Sequence, residues 1–411
     1  MALFQHLGGG IGIASFDETG AKQFPATAHA GVEFYAFSQG FGGFFPRTSG
    51  MQVGAKAEPS HVVGGVGLRH EAEAFDTFGV FAHIRRIIGP GADRYRMTMM
   101  DDPLGIELAG VRLRNPVIAA AGTCGYGAEF DRVLPASALG AITLKSITPE
   151  VRDGNQPWRI LDAKAGMLNA IGLANCGLEA FLHEKLPAAA ALDTVLIGSI
   201  AGHSVEEYCT VAKAFGTADA LSLVEVNASC PNTSDGRQFS ADPSALGELI
   251  EQIRRVLGEK PMLVKLPPDM ADPLGMCSAA VDAGANGLTL SNTWPALAID
   301  VESRKPRLSR GSGGFSGPGI HPMVVKLIRE VFVNFARDRK VPIVGLGGVL
   351  DWEDAAEFVL AGATGIGLGT ALFVDPASAR KCVKGLQKWA NRQGEPLHSL
   401  IGAMDDPGAQ G

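Results

Sequence analysis

Short apolar segments alternate with amphipathic segments along the chain from Asn115 onward. Eight apolar segments are hydrophobic almost throughout, which is typical of parallel strands buried on both faces. They are Val117–Ala121, Ala141–Lys145, Val195–Ile200, Leu221–Val226, Met262–Leu266, Gly287–Leu290, Pro342–Leu346 and Gly365–Leu368. Eight such strands, with helical patterns between most of them, predict an α/β protein built as a (β/α)8 TIM barrel.

The segments between these strands contain helix signals. Asp242 can cap a helix through Leu246–Val256, and Asp351 can cap one that ends at Gly362, while His321–Phe335 has apolar residues at helical spacing. A doubly wound open sheet is the alternative fold. No G-x-G-x-x-G sequence opens a helix after the first strand, which weakens that alternative.

The first 98 residues differ from the rest of the chain. They contain glycine runs without period 2 or period 3.6, so we predict a poorly structured N-terminal extension over 1–98. Met97, Met99 and Met100 precede the first regular pattern, which suggests an upstream start artefact; a small regulatory appendage is the alternative. The barrel domain is expected over 99–395 and a C-terminal tail over 396–411.

Composition narrows the class of protein. The chain has 411 residues, 46% hydrophobic and 19% charged, with a net charge of −7 and no long basic run, so neither nucleic-acid nor membrane binding is expected. The four histidines of the barrel region fall in separate segments, so no metal site is expected. Six cysteines without a CxxC pair indicate a reducing compartment, hence the cytoplasm, and no iron–sulfur cluster in this chain. They are Cys124, Cys176, Cys209, Cys230, Cys277 and Cys382.

Polar and glycine residues stand where the predicted strands end, and a barrel carries its chemistry there. Lys145 and Lys265 each end an apolar strand, although a lysine at a strand end is often only a solvated tip. Gly347-Gly348 and Gly369-Thr370 follow the last two strands, where such barrels bind phosphate. Glycine lets backbone N–H groups approach an anion, but it is also ordinary turn chemistry.

Two long connections add polar and flexible character. The segment Gly166–Asn175 is apolar but rich in asparagine and glycine, so it could cover a ring-shaped ligand. The glycine-rich segment Gly311–Gly319 could act as a lid or help to bind phosphate. Alternatively, both are plain connecting segments.

Cys230 follows the fourth strand in the run Val226–Asn232, with an asparagine on each side and Pro231 directly after it. The proline removes a backbone donor, and the asparagines offer donors and acceptors to a planar polar ligand. A thiol can take a proton if the site adjusts its pKa from about 8.5. The alternative is a small buried cysteine in a turn.

In their order and spacing, these segments resemble the flavin-dependent dihydroorotate dehydrogenases of class 1 from about Pro103 to Asp375. The run Met167–Leu173 looks most like the NAD-linked class 1B catalytic subunit, and Cys230 stands where class 2 relatives place serine. The matching runs are Asn115–Val117, Gly122-Thr123, Lys145-Ser146, Met167–Leu173, Asn227–Asn232, Val264–Leu266, Ser291–Thr293, Gly314–Pro318, Gly345–Gly348 and Gly369-Thr370.

The resemblance implies one FMN per chain at the barrel mouth and oxidation of (S)-dihydroorotate to orotate in pyrimidine (UMP) biosynthesis. Cys230 would remove a proton from C5, and the hydride from C6 would pass to FMN. The implied substrate-binding residues are Lys145, Asn169, Gly172, Leu173, Asn227, Asn232, Asn292 and Thr293. The implied cofactor-binding residues are Gly122, Lys145, Ser146, Ser199, Asn227, Lys265, Ser291, Gly317, Gly347, Gly348, Gly369 and Thr370.

The family pattern also implies partners. A homodimer is expected, which in class 1B forms a heterotetramer with a subunit carrying FAD and a 2Fe-2S cluster; the terminal acceptor is NAD or fumarate. Ser199 stands where the family usually has asparagine, and Ala121 where subclass B usually has serine, which leaves flavin affinity open. The alternatives are a dihydropyrimidine dehydrogenase-like flavin oxidoreductase and a non-catalytic barrel that binds a phosphorylated ligand.

Overall fold

The computed structural model describes two units of the chain, Met1–Asp93 and Arg94–Gly411. In the first, strands β1 (Leu3–Leu7) and β2 (Gly10–Ala14) form an antiparallel pair. The rest of the predicted N-terminal extension lies outside the described residues, and the domain limits after residues 98 and 395 stay predictions. The described residues are 102–228, 239 and 241–405, with the backbone of 3–7 and 10–14.

A closed barrel of eight parallel strands forms the centre of the second unit, in the order β10-β11-β12-β17-β18-β5-β6-β9. This confirms the predicted fold class, and four of the eight strands have the predicted limits. The described strands of the unit are β3 (Ile106–Leu108), β4 (Val111–Leu113), β5 (Val117–Ala119), β6 (Ala141–Thr143), β7 (Ile160–Ala163), β8 (Gly166–Asn169), β9 (Val195–Ile200), β10 (Leu223–Asn227), β11 (Met262–Leu266), β12 (Gly287–Leu290), β13 (Trp294–Leu297), β14 (Ile299–Asp300), β15 (Lys305–Pro306), β16 (Ser312–Ser316), β17 (Ile343–Leu346) and β18 (Gly365–Leu368).

The helices between the barrel strands begin at the predicted caps. Asp242 accepts hydrogen bonds from the Ser244 and Ala245 N–H groups, and Asp351 forms a capping box with Asp354. The described α-helices are α1 (Gly177–Ala180), α2 (Leu186–Ala189), α3 (Val205–Gly216), α4 (Pro243–Leu257), α5 (Pro273–Asp282), α6 (His321–Val331), α7 (Arg337–Arg339), α8 (Trp352–Ala361), α9 (Thr370–Val374) and α10 (Ser378–Gln393). None of them is long and apolar enough to cross a membrane.

The two long connections are more regular than their sequences suggest. Gly166–Asn169 is strand β8, and the connection after β12 contains four further strands. Strands β13, β16, β8 and β7 form one sheet, in which Phe315 pairs with Trp294 and Gly314 with Asn169. The glycine-rich segment Gly311–Gly319, considered as a lid, a phosphate-binding segment or a plain connection, is therefore largely a sheet strand, because its backbone groups pair with strands on both sides.

The barrel core extends into the predicted C-terminal tail. A 3-10 helix, Leu397–Leu400, begins that segment, and the side chain of Leu397 is completely buried. The Leu397 N–H donates to the Pro103 carbonyl at 2.8 Å. The described part of the tail therefore packs against the start of the barrel unit.

Candidate active site

A cavity of about 830 Å³ lies at the carboxyl ends of the barrel strands, within the size range of cofactor and ligand sites. The ends of the barrel strands form one part of its wall, and strands β8 and β16 contribute another. The sheet that replaces the two predicted loops therefore supplies part of the wall.

Most of the residues singled out by the sequence lie around this one cavity. Ser199 does not line it: it is fully buried, and its hydroxyl lies 2.8 Å from the hydroxyl of Ser146, which does. The predicted residues that line the cavity are Gly122, Lys145, Ser146, Asn169, Gly172, Leu173, Asn227, Lys265, Ser291, Asn292, Thr293, Gly317, Gly347, Gly348, Gly369 and Thr370.

Cys230 and Asn232 lie outside the described residues, so their roles stay predictions. The described chain leaves the barrel at the end of β10, where Asn227 lines the cavity and its carbonyl accepts a hydrogen bond from the Tyr208 hydroxyl at 2.7 Å. The segment that contains Cys230 thus begins two residues after the cavity wall.

The charged groups on the cavity wall are cations. Lys145, Lys265 and Arg310 line it, and no aspartate or glutamate does so in the described part of the chain. Burial lowers the pKa of the Lys145 ammonium, and the nearby Arg159 lowers it further. An anion bound beside Lys145 would oppose both effects, so the cavity is suited to a negatively charged ligand.

Side-chain amides on the wall are held in fixed orientations. The Asn292 amide donates to the Asn227 side-chain oxygen at 3.1 Å, and its own oxygen accepts from the Thr293 N–H at 2.8 Å. Asn155, which the sequence analysis did not select, also lines the cavity and donates to the Ala170 carbonyl at 2.8 Å. Because these amides are anchored, a planar ligand with paired donors and acceptors would find them already oriented.

Three glycines form a narrow cradle on the same wall: Gly317, Gly347 and Gly348. All have positive φ angles, of 113°, 155° and 78° respectively. A Cβ on Gly348 would lie 2.7 Å from the Cβ of His321 and 2.8 Å from the Gly317 carbonyl oxygen. Only glycine fits there without displacing backbone, which leaves backbone N–H groups open to an anion.

Replacing Gly348 with alanine should abolish retention of a phosphorylated ligand, because the added methyl group forces the cradle open. The measurement is the amount of flavin that remains with the purified protein. Gly394→Ala is the matched control, since Gly394 also has a positive φ, of 71°, but nothing lies within 4 Å of the added Cβ. That control should lose only about 1 kcal/mol of stability. Equal flavin retention in both variants would contradict a phosphate site at the cradle.

The structure contains a buried carboxyl group in a barrel strand that the sequence analysis did not select. Glu225, in the otherwise apolar strand β10, is 4% exposed, and one of its carboxylate oxygens accepts from the Thr289 hydroxyl at 2.8 Å. Its other oxygen has no partner within the described residues. The sequence signal that could have identified Glu225 is a single acidic residue within an otherwise apolar strand. No cluster of three or more metal-ligating side chains occurs in the described part of the chain.

Comparison with known proteins agrees with this geometry. Residues 103–389 match the model of the dihydroorotate dehydrogenase family. The dihydroorotate dehydrogenase B (NAD(+)) catalytic subunit of Geotalea daltonii is 40% identical over 308 residues, covering 74% of this chain and 99% of that protein. The corresponding subunit of Geotalea uraniireducens is 41% identical over 303 residues, 73% of this chain and 98% of that protein.

One further relative and one solved structure are also similar to this chain. A putative dihydroorotate dehydrogenase A (fumarate) of Solibacter usitatus is 39% identical over 307 residues, 74% of this chain and 99% of that protein. The crystal structure of the dihydroorotate dehydrogenase of Eimeria tenella in complex with ferulenol has the same fold, with a TM-score of 0.60 at 22% identity over 73% of this chain and 88% of that chain. By its family match and its curated relatives, the chain belongs to the dihydroorotate dehydrogenase family.

Proposed function

We propose that the cavity at the barrel mouth is where this enzyme oxidises (S)-dihydroorotate to orotate, a step of pyrimidine (UMP) biosynthesis. FMN would be the bound electron acceptor, and Cys230 the general base. Family membership supports the reaction. The composition of the cavity wall supports its location.

The main observation behind the proposal is that three kinds of group line the same cavity. A glycine cradle, ammonium groups and anchored amides are brought together from separate strand ends. The flavin phosphate and the substrate carboxylate are both anions, and the pyrimidine edge presents alternating donors and acceptors. A barrel that bound only a phosphorylated ligand would need the cradle but not the amides.

The residues present fit FMN. The cradle excludes any Cβ at Gly317 and Gly348, and no acceptor for the Gly348 N–H is found within the described residues. Lys265, 7% exposed, places a cation beside the same cavity. When bound, FMN supplies a two-electron acceptor for the hydride that leaves C6 of the substrate.

Cys230 acts as a base in this scheme. Its sulfur takes the proton from C5, and the electron pair of the broken C5–H bond becomes the C5=C6 double bond of orotate. Because the thiolate is the basic form, the site must keep the pKa of this cysteine near the working pH. Asn227, which lines the cavity at the end of β10, precedes Cys230 by three residues in the sequence.

The amide side chains orient the substrate. Lys145 would face its carboxylate, while the hydrogen-bonded Asn227 and Asn292 pair would face the pyrimidine edge. The full set proposed for substrate binding is Lys145, Asn169, Gly172, Leu173, Asn227, Asn232, Asn292 and Thr293. The set proposed for the flavin is Gly122, Lys145, Ser146, Asn227, Lys265, Ser291, Gly317, Gly347, Gly348, Gly369 and Thr370, while Ser199 would act through the hydroxyl of Ser146.

Electrons would leave through a partner. The names of the two Geotalea relatives support an NAD-linked catalytic subunit. We propose a cytoplasmic homodimer that joins an FAD/2Fe-2S subunit in a heterotetramer. The Solibacter relative supports fumarate as a second candidate acceptor. Purification from the native source separates the two, because a co-purifying subunit would add the absorbance of FAD and of the iron–sulfur cluster.

Anaerobic mixing with dihydroorotate tests the reaction itself. The yellow flavin absorbance should bleach with dihydroorotate and persist with dihydrouracil. Bleaching by dihydrouracil instead would favour the dihydropyrimidine dehydrogenase-like alternative. A colourless protein that takes up no added FMN would overturn the proposal.

A further inference from the structure

Directly behind the glycine cradle lies a histidine that the proposed reaction does not use. His321 is the first residue of α6, is 7% exposed and does not line the cavity. Its Cβ is the atom closest to a Cβ placed on Gly348, at 2.7 Å. His321 therefore packs against the cradle from the side away from the ligand.

Both ring nitrogens of His321 face acceptors. Nδ1 lies 3.2 Å from the Gly347 carbonyl oxygen, and Nε2 lies 3.0 Å from a carboxylate oxygen of Glu357. A carbonyl and a carboxylate can only accept, so each contact is a hydrogen bond only if the ring nitrogen donates. A neutral ring donates from one nitrogen and would turn the lone pair of the other toward an oxygen. The imidazolium form is thus the one form of the ring that makes both hydrogen bonds.

Two carboxylates and an aromatic ring surround the His321 side chain. A carboxylate oxygen of Asp354 lies 3.8 Å from Nε2, so α8 presents two carboxylates to the ring. The ring also stacks on Phe358, with centroids 4.7 Å apart and planes 20° apart.

The bond to Gly347 fixes a peptide plane. The bond between Gly347 and Gly348 is trans, since the cis bonds of the described chain lie elsewhere. In a trans peptide the C=O and the following N–H point in opposite directions. With the Gly347 carbonyl directed at His321, the Gly348 N–H points away from the histidine. Both glycines line the cavity and His321 does not, so we infer that this N–H faces the cavity.

We propose that His321 is a protonated positioning residue that aims the Gly348 N–H at the cofactor phosphate and places a positive charge one peptide behind it. The inference rests on the proposed function, because it takes the flavin phosphate to lie at the cradle. His321 itself contacts neither flavin nor substrate, and acts through the peptide that it holds.

Two measurements on the full-length protein test this role. In protein labelled at histidine with ¹³C and ¹⁵N, the ring resonances that disappear in His321→Asn should show protons on both nitrogens at pH 7. The same variant should weaken FMN binding about tenfold, the effect of losing one charge-assisted contact. Its affinity for riboflavin, which lacks the phosphate, should be unchanged.

Matched variants separate this role from a general loss of packing. His398→Asn, in the 3-10 helix Leu397–Leu400, should leave both affinities unchanged. Glu357→Gln keeps the His321 side chain in place, but should remove one ring proton and weaken FMN relative to riboflavin; it serves as the test if His321→Asn does not fold. A ring with a single proton in the wild type, or an unaltered ratio of FMN to riboflavin affinity in both variants, would overturn the role of His321.

Failure of the proposed function would look different. A wild-type protein that takes up no FMN would overturn the assigned activity. A wild-type protein that binds FMN no more tightly than riboflavin would overturn the phosphate placement, whatever the protonation of His321. If the wild type prefers FMN strongly and the variants do too, only the role of the histidine is wrong.

Discussion

Replacing Cys230 with alanine should leave flavin bound to the protein but slow its reduction by dihydroorotate by about 10²–10⁴-fold, the usual contribution of a general base. Alanine cannot take the C5 proton, so that proton would have to pass to water. The rate is measured by stopped-flow absorbance of the flavin under anaerobic conditions. Retained flavin absorbance would show that the cavity is intact.

Two companion variants sharpen this result. Cys209→Ala changes a half-exposed cysteine on α3, outside the cavity wall, and should reduce flavin at the wild-type rate. Cys230→Ser should fall between wild type and Cys230→Ala and gain rate as the pH rises, since a hydroxyl gives up its proton less readily than a thiol. If Cys230→Ala reduced flavin as fast as wild type, Cys230 would lose its assigned role.

Replacing Lys145 with methionine should slow flavin reduction by about 10²-fold, the effect typical of removing one preorganised donor from an enclosed site. The ammonium group is largely buried at the cavity, so methionine keeps its volume while removing the charge. Single-turnover reduction by dihydroorotate is again the measurement. Lys326→Met is the control, because Lys326 pairs with Glu330 on the exposed side of α6.

The same variant should stabilise the flavin-free protein at pH 7. Burial lowers the pKa of Lys145 from its ordinary 10.5, with a further contribution from Arg159, so charging this group costs more in the folded protein than in the unfolded chain. At a pH between the lowered pKa of Lys145 in the folded protein and 10.5, this lysine is protonated in the unfolded chain but largely deprotonated in the folded protein. The stability of the wild type therefore rises with pH in this range. The advantage of Lys145→Met in urea unfolding should accordingly shrink toward pH 10. If the difference in stability between Lys145→Met and the wild type stayed constant across that range, the charge on Lys145 would not destabilise the folded protein.

Together these changes separate two demands on one cavity. Lys145 would weaken the empty fold so that a bound anion finds a cation already in place. The Lys145→Met variant should make the flavin-free protein more stable and the enzyme slower. A lysine with a purely structural role would not show both effects.

The barrel could be predicted because its signal is local. Strands buried on both faces need apolar side chains at nearly every position, so strands such as Met262–Leu266, apolar except for Lys265, stand out along the chain. Asp242 and Asp351 mark helix starts for an equally local reason, since their side chains accept hydrogen bonds from N–H groups two or three residues ahead. Because a barrel carries its chemistry where its strands end, the positions of the strand ends then indicated which polar residues line the cavity.

Two features of the site could not be predicted from the sequence. Gly311–Gly319 left a lid, a phosphate-binding segment and a plain connection open, and only the structure shows that β8 and β13 pair with much of it. The role of Ser199 at the flavin stays a prediction, and only the structure shows that its hydroxyl lies against that of Ser146. In both cases the deciding partner is far away along the sequence.

The sequence alone determined the eight-stranded barrel, the caps of its helices and the polar residues at its strand ends, because each follows from periodicity or from neighbours within a few positions. Tertiary structure alone decided which of those residues share one wall, how the sheet completes it, and that His321 meets both Gly347 and Glu357. These depend on contacts between residues 26 and 36 positions apart, or more, which the packing of helices on the barrel creates and no local pattern encodes.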